Sequence, residues 1–334
     1  MHLAKSTRAW RRGVRGFFLT DQNQTESLLR LNAEGTAHNE SYAFFPNDGH
    51  PLLGLMRHGT MSGDTRAAVA PFAAHRHFGE TYKWLLYGDD DTLFFMDAVK
   101  HMLDSYDPDL PLAFSDDLWY YGRHPNPHAP RCLPCNVLNE TQPDLETVMR
   151  KPYMRPAGAH GGSGMIFSVG LMRRIPLEAA LKCFQNFSKA PGGDYMVSHC
   201  LWQHNIAFTD PGPLVRHLYD PHYYTFGGGR GLGFLWDPIG MLTHGRCNST
   251  CRWMLRNTLS LHIKGRHFRS WRISTMFMWG IARASEAARS FLDLASSGWR
   301  DLPYGEDSPL SSADSVPEIH NLNVTHPTFA SKNI

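Results

Sequence analysis

Three consecutive aspartates, Asp89, Asp90 and Asp91, follow an apolar, aromatic run from Trp84 to Tyr87 that stops at Gly88. The run reads as a buried strand, and the segment after the triplet, Leu93 to Leu103, carries apolar residues at helical spacing. Like charges at the end of a buried strand repel one another, and few folds tolerate them without a cation. A hard divalent ion with oxygen ligands, itself gripping a diphosphate, is the usual remedy. A plainer reading is also open: Asp91 caps a helix beginning near Thr92, and the other two carboxylates are solvated.

Further groups with chemical potential lie downstream. Ala157 to Ser168 is dense in glycine (Gly158, Gly161, Gly162, Gly164) and then apolar. It is either a flexible loop before a strand or a close backbone approach to a ligand, where any Cβ would clash. Asp194 follows Pro191-Gly192-Gly193 and opens a helical run, Tyr195 to Gln203, for which it is the expected N-cap. The histidines form no His-Glu-X-X-His or similar spacing, which argues against a zinc metalloenzyme. Trp119, Tyr120, Tyr121 and Trp236 offer stacking faces to sugars, but core packing explains them equally well.

The elements that must carry these groups alternate between strand and helix. Gly16 to Thr20 is the first expected strand, after an amphipathic Lys5 to Arg12. Gln22 to His50 reads as a polar stretch with turn formers at Pro46 to Gly49. Gly63 to Gly79 has helical spacing and leads into the strand before the triplet. Leu110 to Phe114 is a further strand, and Arg173 to Cys183 a further helix. This is α/β logic, in which ligands sit beyond the carboxyl ends of strands. Pro125 to Pro156 is loop-like, and the tail past Trp299 has a disordered composition. With no internal repeat visible, residues 1–285 form one expected domain and 286–334 a disordered tail.

Composition narrows the partners. The 334 residues are 42% hydrophobic and 12% aromatic, enough for one large core or two moderate ones. A net charge of +2, without a dense basic stripe, argues against nucleic acid. Arg8, Arg11, Arg12 and Arg15 read as a solvated basic edge. No stretch is long and apolar enough for a membrane span. Asn-X-Ser/Thr acceptors at Asn23, Asn39, Asn139, Asn186, Asn248 and Asn323, with 6 cysteines, point to a lumenal or extracellular compartment. The absence of a signal segment then leads to the expectation that the sequence starts downstream of a membrane anchor.

Four segments, in order and spacing, resemble the inverting β1,3-glycosyltransferases that include Fringe and core 1 galactosyltransferase, in their plant, algal and fungal branch. They are Lys83 to Phe95 with its Asp-X-Asp, Gly161 to Gly164 before an apolar strand, Gly192 to Leu201, and Thr258 to His262. The resemblance runs from about Thr7 to Phe268 and implies a GT-A type nucleotide-diphospho-sugar transferase fold. That fold is a mixed central sheet flanked by helices, with a nucleotide-binding half (about 7–125) and an acceptor half (about 126–285).

The resemblance also implies roles. Asp89 and Asp91 belong to the metal-and-donor motif, with Asp90 between them contacting the donor. His262 completes the shell of Mn²⁺ (or Mg²⁺), with His217 as the rival histidine. Gly161 and Gly162 let the backbone approach the donor, Ser163 replacing the family's alanine. Asp194 is the implied base, although relatives carry an acidic pair where this chain has Asp194-Tyr195. The implied activity is transfer of a hexose or N-acetylhexosamine from a UDP-sugar to a glycan or glycoprotein hydroxyl in the Golgi or another secretory lumen. Tyr195 keeps a second reading open, that of a non-catalytic relative acting as a glycan-binding or folding-partner protein. Cys183 and Cys200 match a recurring pair flanking the base. Cys132 with Cys135 and Cys247 with Cys251 are then local disulfides or, alternatively, a zinc site.

Overall fold

The computed structural model describes residues 5–11, 13–46, 63–115, 118–119, 158–185, 192–204, 206, 208, 225–227, 247, 252, 255–263 and 271–296. His217, Tyr120, Tyr121, Trp236, Cys132, Cys135, Cys251, the segment 125–156 and the tail past Trp299 lie outside the described residues. Residues through Leu292 belong to one compact unit; of the second unit, from Asp293 on, only the end of a helix is described.

The chain opens with a βαβ unit. Strand β1 (Gly16–Thr20) pairs in parallel with β2 (Glu40–Phe44), from Gly16 opposite Glu40 to Thr20 opposite Phe44, and helix α1 (Thr25–Thr36) connects them. The polar stretch expected from Gln22 therefore contains a helix and a strand. Polar bonds fasten them: the Asn32 side-chain amide donates to Tyr42 O at 2.9 Å, and its oxygen accepts from Tyr42 N at 2.8 Å. An asparagine thus serves β2 as a neighbouring strand would, without the apolar stripe by which such a helix is normally recognised. Nor is the basic edge fully solvated. Arg8 forks onto the buried Glu40 carboxylate at 2.8 and 2.6 Å, and buried Arg11 reaches it at 2.5 Å. A carboxylate taken out of water needs such partners.

Helix α2 (Asp64–Phe78) leads into β3 (Trp84–Tyr87), as expected. The next element differs from expectation. Residues Thr92–Phe94 form a strand, β4, and helix α3 starts only at Met96, running to Leu103. Its N-cap is Phe95, so Asp91 caps no helix. Next come β5 (Ala113–Phe114), β6 (Leu118–Trp119), β7 (Gly158–Ala159), a 3₁₀ turn at Gly161–Ser163 and β8 (Met165–Ser168). Helices α4 (Val169–Arg174) and α5 (Leu177–Gln185) are separated at Pro176, where proline cannot continue a helix. Helix α6 (Gly193–Gln203), strands β9 (Thr225–Gly227) and β10 (Thr258–His262), and helix α7 (Trp271–Ser296) complete the order.

The architecture is mixed α/β. Among the described residues the strands form four small ladders rather than one continuous sheet: β1-β2, β4-β10-β9, β3-β8-β5 and β6-β7. Strand β8 is the middle strand of its ladder, antiparallel to β3 on one side and to β5 on the other. Alternation along β8 sends Met165 and Phe167 into one core with Phe72 and Phe184, and Ile166 into another with Leu93 and Phe114. A sheet buried on both faces needs apolar residues throughout, which is why this strand was readable from sequence.

Cys183 on α5 and Cys200 on α6 form a disulfide with Cα atoms 5.4 Å apart, as the resemblance implied. No helix among the described residues is long and apolar enough to cross a membrane.

Candidate metal and carboxylate site

Two crossings of the chain assemble the site. β4 and β10 run antiparallel with Phe94 opposite Ser260, Leu93 opposite Leu261 and Thr92 opposite His262. The ladder continues past the strand ends, where Ile263 N donates to Asp91 O at 3.0 Å. The register alone therefore brings His262 beside the aspartate triplet, across about 170 residues of sequence. At the other end of the triplet, Thr92 N donates to Asp89 O at 3.1 Å and closes the acidic turn.

The result is a three-residue cluster. One ligand atom each from Asp89, Asp91 and His262 lies within 4.8 Å of the others. His262 Nε2 is 3.3 Å from Asp91 Oδ1. Adjacent ligands held about 2.1 Å from a common ion lie roughly 3 Å apart and opposed ones roughly 4 Å, so the spacing fits a single divalent cation. Two carboxylates and one imidazole form a mixed oxygen and nitrogen donor set of the kind that holds a divalent cation. His262 Nδ1 is buried without a hydrogen-bond partner among the described residues. Among the described residues the polar contact of the ring is the one toward Asp91.

Asp91 is buried, whereas Asp89 and Asp90 face solvent, so the cluster has a closed floor and an open mouth. Crowding by the surrounding protein, with the charges of Asp91 and Asp194, pushes the Asp89 carboxyl up to about 7, against a smaller opposing pull from His262. Although its side chain reaches solvent, the protein packed around Asp90 and the charge of Asp91 also push it up. In the metal-free protein Asp89 therefore binds a proton over a range in which the unfolded chain, at its ordinary value of 3.8, has lost it. Stability from this group is greatest below that ordinary value and falls as pH rises toward 7. A ligating carboxylate must be ionised, so a cation and the proton compete for it. The rise in melting temperature caused by Mn²⁺ is accordingly expected to be larger at pH 7.5 than at pH 5.5, as measured by differential scanning fluorimetry at fixed ionic strength. A shift independent of pH would contradict the placement of Asp89 at the ion.

Asp194 approaches Gly161 on the same face as Asp89. It is not the N-cap expected from sequence; Gly192 is, and Asp194 sits in the first turn of α6. Position 193 is a glycine because it packs closely on α2, where an added Cβ would come within 2.6 Å of Ala67 Cβ and 2.8 Å of Asp64 O. Asp194 Oδ2 accepts from Gly161 N at 3.0 Å and Oδ1 from Tyr195 N at 2.8 Å. Both oxygens are thereby oriented, each with a lone pair still to offer.

The glycines also make room for the protein's own side chains, beside the approach to a ligand expected from the sequence. A Cβ on Gly161 would stand 3.3 Å from Asp89 Oδ1 and 3.5 Å from Asp194 Oδ2. One on Gly162 would lie 2.5 Å from His262 Nδ1 and 2.6 Å from Nε2. Their missing side chains leave room for the protein's own carboxylates and imidazole. Several amides of the turn are also engaged internally, with Gly161 N on Asp194 and Gly164 N on Gly161 O. One neighbour escaped the sequence reading. His160 caps the 3₁₀ turn through its ring, accepting from Ser163 N at 3.2 Å, and its ring centroid lies 5.1 Å from that of His262. A histidine directly before a run of glycines was the available signal.

The structure thus brings together Asp89, Asp91, His262, Gly161, Gly162 and Asp194, with Asp90 at the mouth. Comparison with protein-family models returned no match, and a search of curated proteins returned none either.

Proposed function

We propose that the protein is a metal-dependent, inverting glycosyltransferase of GT-A type. It would move a hexose or N-acetylhexosamine from a UDP-sugar to a glycan or glycoprotein hydroxyl, forming a β1,3 linkage. The observation that carries the reading is the meeting of Asp89, Asp91 and His262 within 4.8 Å, with the oriented Asp194 carboxylate at Gly161. The mixed α/β architecture and the motif resemblance are consistent with it.

On this reading the reaction is a single displacement. The acceptor hydroxyl hydrogen-bonds to a free lone pair of Asp194, which takes its proton as the oxygen attacks the anomeric carbon. The bond between that carbon and the UDP oxygen breaks on the opposite face, and its electron pair leaves with UDP. A divalent ion, held when bound by Asp89, Asp91 and His262, supplies the positive charge that offsets negative charge developing on the departing phosphates. Gly161 N and Tyr195 N fix the angle at which Asp194 meets the acceptor. The Cys183–Cys200 disulfide and the glycosylation acceptors are consistent with a secretory lumen such as the Golgi. Of those acceptors, Asn23 and Asn39 fall among the described residues and are exposed.

A panel of UDP-sugars read by thermal shift, with and without Mn²⁺, tests the proposal. A ligand at about 100 times its Kd adds about 2.7 kcal/mol, which moves the midpoint by several degrees. UDP is expected to shift the midpoint only when Mn²⁺ is present, and one UDP-sugar to be hydrolysed slowly in the absence of acceptor. A panel in which no uridine nucleotide shifts the midpoint in either condition refutes the proposal.

A further inference from the structure

Thr92 is fully buried and links three parts of the site, the acidic turn, the His262 strand and the glycine turn. Its backbone N–H closes the acidic turn on Asp89 O, its strand register places it opposite His262, and its Oγ1 donates to Gly162 O at 3.0 Å. Gly88 makes room for it, since a Cβ there would lie 2.7 Å from Thr92 Oγ1 and 2.8 Å from its Cβ. A second hydroxyl repeats the arrangement from the facing strand: buried Ser260 donates through Oγ to Ser163 O. Two adjacent carbonyls of the glycine turn are thus pinned by one hydroxyl from β4 and one from β10, the two strands that present the candidate ligands. The turn in turn backs the His262 ring at Gly162 and holds Asp194 at Gly161.

We propose that Thr92 is a positioning residue for this site, seconded by Ser260, and that their hydroxyls fix the glycine turn so that His262 faces the ion and Asp194 faces the acceptor. The inference rests on the metal-and-donor reading of the cluster. Loss of a hydroxyl-to-carbonyl bond at a buried site leaves the carbonyl without its partner and loosens the turn that lies against the His262 ring. Groups that orient metal ligands in this way are worth roughly 10- to 100-fold in metal affinity.

The test is titration of the full chain with Mn²⁺ alone, by isothermal calorimetry, for wild type, Thr92→Val, Thr92→Ser and Ser260→Ala, with melting temperature measured alongside. Thr92→Val keeps shape and volume but removes the hydroxyl, and is expected to weaken Mn²⁺ binding about 10-fold or more. Thr92→Ser keeps the hydroxyl and is expected to stay within about 2-fold of wild type, a rescue that a purely packing role would not give. Ser260→Ala is expected to weaken binding in the same direction, and it decides the question should Thr92→Val fail to fold. Variants that lose melting temperature but bind Mn²⁺ as wild type does overturn the positioning role and leave the site reading standing. Wild-type protein that binds no Mn²⁺ overturns the site reading itself, and the positioning role with it.

Discussion

Asp91→Asn is expected to abolish Mn²⁺-dependent UDP binding and sugar transfer while leaving the metal-free protein at least as stable as wild type. The two halves of that expectation have one cause. Asp91 is buried, sits 3.3 Å from His262 Nε2, and is the foremost charge pushing up Asp89. Asparagine keeps the side chain's size but presents a neutral oxygen to the cation, which removes a charged ligand from a set of three. In the metal-free state the same change relieves repulsion, so the Asp89 carboxyl falls back toward its ordinary value. A residue placed for structure would behave the other way, with stability lost and function lowered only in proportion. The measurement is a UDP thermal shift with and without Mn²⁺, read together with the ligand-free melting temperature. If the variant still shows the Mn²⁺-dependent shift, the triplet is not the metal site.

What could be read in the sequence, and what could not, follows from the range of the forces involved. Strand β8 and helices α2, α5 and α6 were legible because burial sets their apolar pattern locally, and α/β organisation followed from their alternation. Strand β4 was not. Thr92–Phe94 continues directly into an amphipathic helix, and three apolar residues cannot be split from such a run by periodicity. What makes them a strand is pairing with β10, whose residues lie far away in sequence. Helix α1 and β2 were missed because Asn32 and Glu40 hold them largely with hydrogen bonds and ion pairs, and the few apolar anchors, such as Tyr42, stand among polar residues.

The site shows the same division. The residue types at Asp89, Asp91, Asp194 and His262 were apparent, and the resemblance attached roles to them. Only the fold gives the reason for the glycines. Gly162 is bare because an imidazole about 100 residues downstream occupies the space, and Gly161 because two carboxylates flank it. His160 and Thr92 went unassigned because neither is a ligand by type and spacing; each acts through a contact with the glycine turn. A motif names the groups that meet the substrate more readily than those that hold them in place.

Asp194→Asn is expected to separate binding from chemistry. With Mn²⁺ and UDP bound as in wild type, transfer should fall about 100- to 10,000-fold, the range associated with loss of a general base. The variant keeps an oxygen that can accept the Gly161 or Tyr195 amide, so the turn of α6 is expected to survive. It cannot accept the acceptor's proton. Tyr195 gives this experiment its weight. The family that the motifs resemble carries two acidic residues at this place, and if the second were the base, a chain with tyrosine there would bind donor without using it. That alternative predicts a different pattern, in which wild type already fails to transfer and Asp194→Asn changes nothing. Replacing Tyr195 with aspartate would then create activity, whereas on the present reading it leaves transfer within a few-fold of wild type. Transfer rates for wild type and these two variants, measured at saturating UDP-sugar and Mn²⁺, decide between an enzyme that works with one carboxylate and a protein that retains only the binding site.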